Sequence, residues 1–156
     1  MQQSTQIQIS EKLFIEEVGT LFELFSFPRM AGKILGWLLV CVPPYQTANE
    51  LIAAVGGSKG SISSMTRLLM HVGLVERIGR PGMRGSNFQV KKDSWVELLK
   101  NRFSFIKAMR ELADKGLALM NDEETKYRLR LQEIRDLHAF LEDEVPALFE
   151  RWERKA

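Results

Sequence analysis

Hydrophobic residues recur at helical spacing along most of the chain, interrupted by proline and glycine. From Ser10 the apolar positions follow steps of three and four with glutamates between them, which predicts an amphipathic first helix to about Ser26. Pro28 suits the first turn of a second helix, because that position needs no backbone donor. Residues 30–40 are apolar enough for this second helix to be largely buried.

Two short helices separated by a tight turn are predicted next. Thr47 and Glu50 match a capping box, in which the hydroxyl and the carboxylate each accept a hydrogen bond from a free backbone N–H. The third helix is expected to end near Gly56, and Ser58 is placed to cap a fourth helix that Gly73 terminates. This arrangement predicts a helix-turn-helix unit.

Strand character follows at residues 74–78 and 87–90, and the segment between them is rich in glycine and arginine. The pattern predicts a two-stranded β hairpin, or wing, with a long basic tip. Ser94 and Glu97 repeat the capping-box spacing and indicate a long fifth helix that ends near residue 121.

A last helix is predicted from Asp122, with apolar positions that alternate in steps of four and three. A seam of this kind needs a partner helix, and Pro146 within it predicts a break or kink near Glu144. The seam and the apolar stripe of the first helix together predict a homodimer. Its interface is expected to contain Phe14, Val18, Leu21, Tyr127, Leu131, Ile134, Leu141 and Leu148.

The length of 156 residues favours one domain, and 45% hydrophobic with 27% charged residues is the composition of a globular protein. The longest apolar run, residues 34–42, is too short to cross a bilayer, so no membrane partner is predicted. The single cysteine, Cys41, lies in an apolar segment and favours a reducing compartment. The expected location is the cytoplasm.

The residue types needed for catalysis are sparse. The histidines, His71 and His138, are distant in sequence from each other and from Cys41, which predicts neither a nucleophile with its base nor a metal site. Residues 56–61 superficially resemble a phosphate-binding loop, but the lysine precedes the glycine and the segment follows a helix. We therefore expect no enzymatic activity and no cofactor.

The net charge of +2 conceals a basic centre, because residues 56–92 carry seven basic side chains and one acidic one. Such a distribution favours an anionic partner, and double-stranded DNA is the partner that a helix-turn-helix predicts. In the fourth helix Ile62, Met65 and Leu69 are expected to face inward, which leaves a small, hydroxylated and cationic outer face suited to base edges and phosphates. The predicted DNA-binding residues are Ser58, Lys59, Gly60, Ser61, Ser63, Ser64, Arg67, Arg77, Arg80 and Arg84.

Two other interpretations stay open at this stage. The basic segment is also compatible with an ordinary solvated surface hairpin. The whole chain is compatible with a winged-helix protein-interaction module that does not read DNA and binds its partner through the heptad seam.

Three segments resemble the MarR superfamily of winged-helix regulators, and more closely its GbsR-like branch. They are FPRMAGKILGWL at residues 27–38, SKGSIS at 58–63, and GLVER at 73–77, which leads into the Pro81-Gly82 of the wing. The resemblance implies a mainly α fold: a winged helix-turn-helix with a two-stranded β wing, flanked by N- and C-terminal dimerisation helices. It also implies a homodimer that reads a pseudo-palindromic operator.

The resemblance further implies a transcriptional regulator, commonly a repressor, whose DNA affinity responds to a small-molecule effector of unidentified chemistry. In this interpretation residues 1–156 form a single MarR/GbsR-like domain. Residues 1–26 are the N-terminal dimerisation helix, 27–92 the winged helix-turn-helix core, and 93–156 the C-terminal dimerisation helices.

Overall fold

A computed structural model of the chain describes residues 2–79, 85–120 and 125–155. The described residues form a mainly helical fold with one small antiparallel sheet. The elements in chain order are α1 (Gln2–Leu24), α2 (Arg29–Val40), β1 (Gln46–Thr47), α3 (Ala48–Val55), α4 (Lys59–His71), β2 (Val75–Ile78), β3 (Asn87–Val90), α5 (Ser94–Ala118) and α6 (Thr125–Glu153).

Two compact units make up the chain, residues 1–95 and residues 96–156. The first unit contains α1 to α4 and the sheet, so the helix predicted for dimerisation at residues 1–26 belongs to the same unit as the helix-turn-helix. The core of this unit is formed by fully buried aliphatic side chains of α2, α3, α4 and the segment before β2. They include Ile34, Leu35, Leu51, Ile62, Leu69 and Leu74.

Helices α1 and α2 approach each other closely because glycine occupies the contact. A Cβ added to Gly32 would lie 2.7 Å from the Cβ of Phe22 and 2.7 Å from the backbone oxygen of Val18. A Cβ on Gly36 would lie 3.1 Å from the Cβ of Val18. Val18, predicted for the dimer interface, is therefore already packed against α2 of its own chain.

An ion-pair network borders this helix pair. The Glu16 carboxylate accepts from Lys33 Nζ at 2.8 Å and from Arg29 Nη2 at 2.9 Å. The hydrogen bond from Lys33, followed by that from Arg29, lowers the pKa of Glu16 below its usual value. Both side chains of the second helix that carry charge are thus neutralised within the unit.

The local signals of the helix-turn-helix are confirmed. The Thr47 and Glu50 capping box is present, with Thr47 N donating to the carboxylate at 2.7 Å and Glu50 N donating to the hydroxyl at 3.3 Å. Gly56 ends α3 in the left-handed conformation at φ 74°. Gly73 takes φ 79° after α4, and Leu74 N donates to Leu69 O at 2.9 Å to close the helix end.

The sheet has three strands in the order β1–β3–β2, one more than the predicted two-stranded wing. The hairpin of β2 and β3 is confirmed, with Arg77 opposite Phe88. The additional strand β1 pairs antiparallel with β3, and Thr47 lies opposite Asn87. A two-residue strand is too short to produce an alternating pattern, so periodicity does not predict it.

In the second unit α5 and α6 contact each other through their side chains. The Phe103 and Phe149 rings lie 6.0 Å apart edge to face, and the Phe105 and His138 rings lie 5.8 Å apart in the same geometry. A Cβ on Gly116 would come within 2.8 Å of Leu131 Cδ1. The Arg110 guanidinium also pairs with the Glu142 carboxylate of the facing helix.

Two features of these helices differ from the sequence-based expectation. Of the break or kink predicted near Glu144, the break does not occur: α6 continues through Pro146, since a proline removes only one donor and the flanking Val145 and Phe149 stay packed beside Phe103. The kink stays a prediction. The Ser94 and Glu97 capping box does not form. Among the described residues Ser94 Oγ is buried without a hydrogen-bond partner, and Ser94 is itself the first residue of α5.

The described helices include none that is both long enough and apolar enough to span a membrane. Within those same ranges no three His, Cys, Asp or Glu side chains converge in a way that would hold a metal ion.

We expect Gly32→Ala to lower the free energy of unfolding by about 1–3 kcal/mol, because the added methyl overpacks a contact that backbone atoms define. Urea denaturation followed by circular dichroism measures this loss. Gly79→Ala is the matched control, since a Cβ there meets nothing within 4 Å. Equal stability of the two variants would contradict the close approach of α1 and α2.

Candidate nucleic-acid interface

Helix α4 is fixed from within by its buried inner face. Ile62, Thr66 and Leu69 are almost completely buried, and the Thr66 hydroxyl donates to Ile62 O at 2.8 Å. The Ser58 hydroxyl caps the first turn by accepting from Ser61 N at 3.1 Å. The orientation of the outer face therefore follows from packing and capping that involve no ligand.

The outer face of α4 carries the predicted residues. Its exposed members are Ser58, Lys59, Gly60, Ser63, Ser64 and Arg67, and Ser61 is half-buried. Arg67 is partly ordered by its own helix, because its Nε donates to Ser63 O at 3.2 Å. The face combines small side chains with cations, as a surface that approaches base edges and phosphates requires.

An open groove of about 440 Å³ lies beside α4 in the first unit. The start of α3 forms one wall, α4 another, and the sheet the third. Its lining residues are Thr47, Ala48, Asn49, Lys59, Ile62, Ser63, Thr66, Arg67, Arg77, Gly85, Ser86 and Phe88.

Arg77 reaches this groove from β2. Its guanidinium carbon lies 5.8 Å from the centroid of the Phe88 ring, the residue directly opposite it in the β2–β3 register. At this distance the ring face attracts the cation and helps to hold the exposed side chain in place. The interaction orients Arg77 while leaving its charge available.

Sequence reasoning did not assign Thr47, Asn49, Ser86 or Phe88 to the interface. Thr47 was recognised only as a helix cap, and Phe88 only as a strand residue. Their place in the groove follows from the pairing of β1 with β3, which no local pattern indicates.

The charged side chains that line the groove in the described part of the chain are all positive. Among the lining residues that the structure describes there is no carboxylate. The neighbouring Glu50 is engaged at the α3 cap, where the hydrogen bond from the Thr47 backbone lowers its pKa, and Glu76 accepts from Gln89 Nε2 at 2.7 Å. These two carboxylates therefore accept hydrogen bonds from neutral groups of the fold, and neither is among the described lining residues of the groove.

Within the described part of the chain, the three groove cations Lys59, Arg67 and Arg77 form no ion pair with a carboxylate. Some cations elsewhere do form ion pairs, as Arg29 does with Glu16 and Lys100 with Glu153. Cationic side chains left together without an internal counter-charge are suited to an anion from outside the protein.

The predicted wing contacts Arg80 and Arg84 lie outside the described residues. Their assignment stays a prediction.

Apart from Val18, the residues predicted for the dimer interface fall into two groups. Phe14, Leu21, Tyr127 and Leu148 are exposed. Leu131, Ile134 and Leu141 are half-buried, with Leu131 against Gly116 of α5 and Leu141 in a groove between α5 and α6. Part of the heptad seam of α6 is therefore used within the second unit.

A further exposed apolar stripe, on α5 and the residue directly after it, was missed. Phe105 and Leu112 of α5 and Leu119, which follows the last helical residue Ala118, are spaced by seven residues and are 56%, 61% and 88% exposed. The signal was present in the sequence, but the same helix carries other apolar residues, and the periodicity alone does not separate the buried stripe from the exposed one.

Comparison with known proteins extends over nearly the whole chain. A family model described as "MmpR5-like MarR family transcriptional regulator" matches residues 93–155. The chain is 35% identical over 142 residues to the HTH-type transcriptional regulator MmpR5 of Mycobacterium tuberculosis, covering 91% of this chain and 86% of that protein. It is 26% identical to the HTH-type transcriptional repressor OpcR of Bacillus subtilis, covering 86% and 80% of the two chains.

The structural comparison agrees. The crystal structure of a transcriptional regulator with 34% sequence identity superposes with a TM-score of 0.75, over 93% of this chain and 99% of that one. The similarity therefore includes the helix-turn-helix, the sheet and the long C-terminal helices.

We expect Gly60→Ala to weaken DNA binding by about tenfold, because a methyl group on the outer face of α4 keeps the helix from its closest approach to the duplex. A Cβ at this position meets nothing within 4 Å in the free protein, so the fold itself accommodates the change. The free energy of unfolding is expected to stay equal or to rise by up to about 1 kcal/mol, since alanine is the better helix former. Fluorescence anisotropy and urea denaturation on one preparation measure both effects. Unchanged DNA affinity would remove Gly60 from the interface.

Proposed function

We propose, because this chain belongs to the MmpR5-like MarR family of transcriptional regulators, that it is a homodimeric repressor that binds a pseudo-palindromic operator. The chain is a DNA-binding regulator of the winged-helix type. The repressor role is the finer proposal, supported by the similarity to OpcR, which is named a repressor.

The observation that supports DNA binding is the groove beside α4, where Lys59, Arg67 and Arg77 form no ion pair with any carboxylate that the structure describes. The capped N-terminus of α4 lies beside these cations, and the exposed face of α4 carries small side chains. A duplex supplies both partners of this surface, phosphates for the cations and base edges for the helix.

Dimerisation is supported by exposed apolar surface. Phe105, Leu112 and Leu119 form one stripe, and exposed Phe14 and Leu21 lie on α1. Exposed apolar side chains in such stripes favour burial against another copy, and a two-fold dimer presents two copies of α4 to a two-fold operator. We expect half-sites separated by about one helical turn of DNA or a small multiple.

The same stripes support a second candidate function, a protein-interaction module that keeps the winged-helix shape. In that case the partner is a different protein and the basic groove contributes nothing to function. Titration with DNA separates the two candidates.

Finer assignments accompany the main proposal. We place the chain near the GbsR-like branch, on the segments at residues 27–38 and 58–63, and treat residues 1–156 as one functional domain. A regulator of this kind acts in the compartment that holds the DNA, which we propose is the cytoplasm. It requires no enzymatic activity and no cofactor, and its DNA affinity responds to a small-molecule effector of unidentified chemistry.

The decisive experiment is a fluorescence-anisotropy titration against duplexes from the upstream region of the protein's own gene and a scrambled control. At two salt concentrations we expect tight, salt-sensitive binding to the upstream duplex, because each phosphate contact contributes about −0.9 to the logarithmic salt slope. Lys59→Ala is expected to weaken binding with the dimer intact. Equal weak binding to both duplexes would favour the protein-interaction module.

We expect Leu112→Asp to dissociate the dimer, because it places a charge in the proposed interface. Multi-angle light scattering is expected to show the monomer mass, with weaker DNA binding as a consequence. Leu99→Asp is the matched control on the same helix, since Leu99 is 47% exposed but does not lie on the stripe. A dimer mass for Leu112→Asp would exclude this stripe from the interface.

A further inference from the structure

We propose that the groove beside α4 binds the sugar-phosphate backbone of one DNA strand, and that Arg67 and Arg77 contact its phosphates from opposite walls. The inference rests on the proposed DNA-binding function and deepens it. In this proposal Arg67 of α4 contacts a phosphate and does not contact a base.

The spacing of the cations along α4 fits an extended polyanion. Lys59, Ser63 and Arg67 are four residues apart in turn, so they lie on one stripe, and all three line the groove. Lys59 and Arg67 are separated by about 12 Å at 1.5 Å per residue. A DNA strand carries one phosphate per about 3.4 Å of helix axis, so the stripe is long enough to meet more than one phosphate.

Arg67 is oriented along the groove by its own helix. Its Nε donates to Ser63 O at 3.2 Å, which ties the guanidinium to the helix surface on the side of the groove. The terminal nitrogens keep their donors available for a phosphate oxygen. An arginine that reads a base in the major groove needs to extend away from the helix instead.

Arg77 is held on the facing wall by a different element. Strand pairing places it opposite Phe88, and its guanidinium lies 5.8 Å from that ring. The α4 wall depends on helix packing and the β2 wall on the sheet, so the two arginines are positioned independently and with little freedom.

The remaining lining also favours a phosphodiester strand over a small metabolite anion. Ser63 and Ser86 add hydroxyl groups and Asn49 adds an amide, which are donors that bind phosphate and sugar oxygens. A small anion occupies one point, whereas these donors and the three cations are distributed over three walls of an open groove. No lining carboxylate opposes a continuous negative strand.

This assignment changes where sequence specificity resides. The exposed stripe of α4 adjacent to that of Lys59, Ser63 and Arg67 contains Gly60 and Ser64. Gly60 has no side chain, and Ser64 has a short hydroxyl side chain. Base reading then depends on the close approach of the helix and on short polar contacts. Arg67 and Arg77 contribute affinity that is independent of sequence.

The test compares Arg67→Gln, Arg67→Lys and Arg77→Gln on a duplex that the wild-type protein selects from a random-sequence pool and on its scrambled counterpart. We expect both glutamine variants to lose about tenfold in affinity on each duplex and about one unit of the logarithmic salt slope. Arg67→Lys is expected to keep most of the slope, and the ratio of affinities for the two duplexes is expected to change by less than about twofold in all three variants. Lys155→Gln, an exposed position of equal charge change in the second unit, is the control and keeps the wild-type slope.

The proposal would be overturned if Arg67→Lys no longer distinguished the selected duplex from the scrambled one while Arg67→Gln kept the wild-type salt slope. Arg67 would then be a residue that contacts a base. Replacing single phosphates of the selected duplex by neutral methylphosphonates locates the contact. When the phosphate that Arg67 contacts is replaced, the wild-type protein is expected to lose affinity and Arg67→Gln to show no additional loss. Additive losses of affinity at every phosphate would contradict the proposed contact. If the wild-type protein selects no duplex, the proposed function itself is wrong. That outcome is distinct from one in which the protein selects a duplex but Arg67 and Arg77 do not contact its phosphates.

Discussion

The burial of the inner face of α4 is the constraint on which the candidate interface depends. Ile62 and Leu69 are fully buried, Thr66 is tied to the backbone of the preceding turn, and both ends of the helix are closed by Ser58 and Gly73. Rotation of α4 by one residue, about 100°, would expose these apolar side chains and bury the cations instead. The outward direction of Lys59 and Arg67 is thus enforced by the hydrophobic core and needs no DNA to maintain it.

The distribution of carboxylates is the complement of that constraint. Glu16 and Glu23 pair with the two cations of α2, Glu50 closes the α3 cap, and Glu76 accepts from a neighbouring strand. Each of these groups has a structural partner, so the fold reaches a satisfied state while the groove stays positive. Paired surface ions contribute little net stability, but they remove charges that would otherwise compete for the same partner. The first unit therefore combines a helix pair whose α2 cations are paired with α1 carboxylates and a cationic groove.

How far the sequence predicted this structure depends on the range of the interaction concerned. The caps at Thr47 and Ser58 and the left-handed Gly56 were predictable because they involve neighbours within four residues. Strand β1 and the pairing of Arg77 with Phe88 were not, since they depend on a register set by distant segments. The expected break at Pro146 failed for the same reason, because packing against α5 offset a local penalty. Of the candidate site, the residues of α4 and Arg77 of β2 were predicted from the sequence, whereas Thr47, Asn49, Ser86 and Phe88, which complete the groove, were not.

The glycines show why geometry adds information that composition lacks. Gly32 has no room for a side chain, so its identity is explained within the fold by the approach of α1. Gly60 has open space around it and lies in the first turn of α4, and glycine is a weaker helix former than alanine. A residue that weakens its own helix without a packing reason is accounted for when the missing side chain leaves room for a partner, and Gly60 lies on the one face of α4 that the protein itself leaves uncovered.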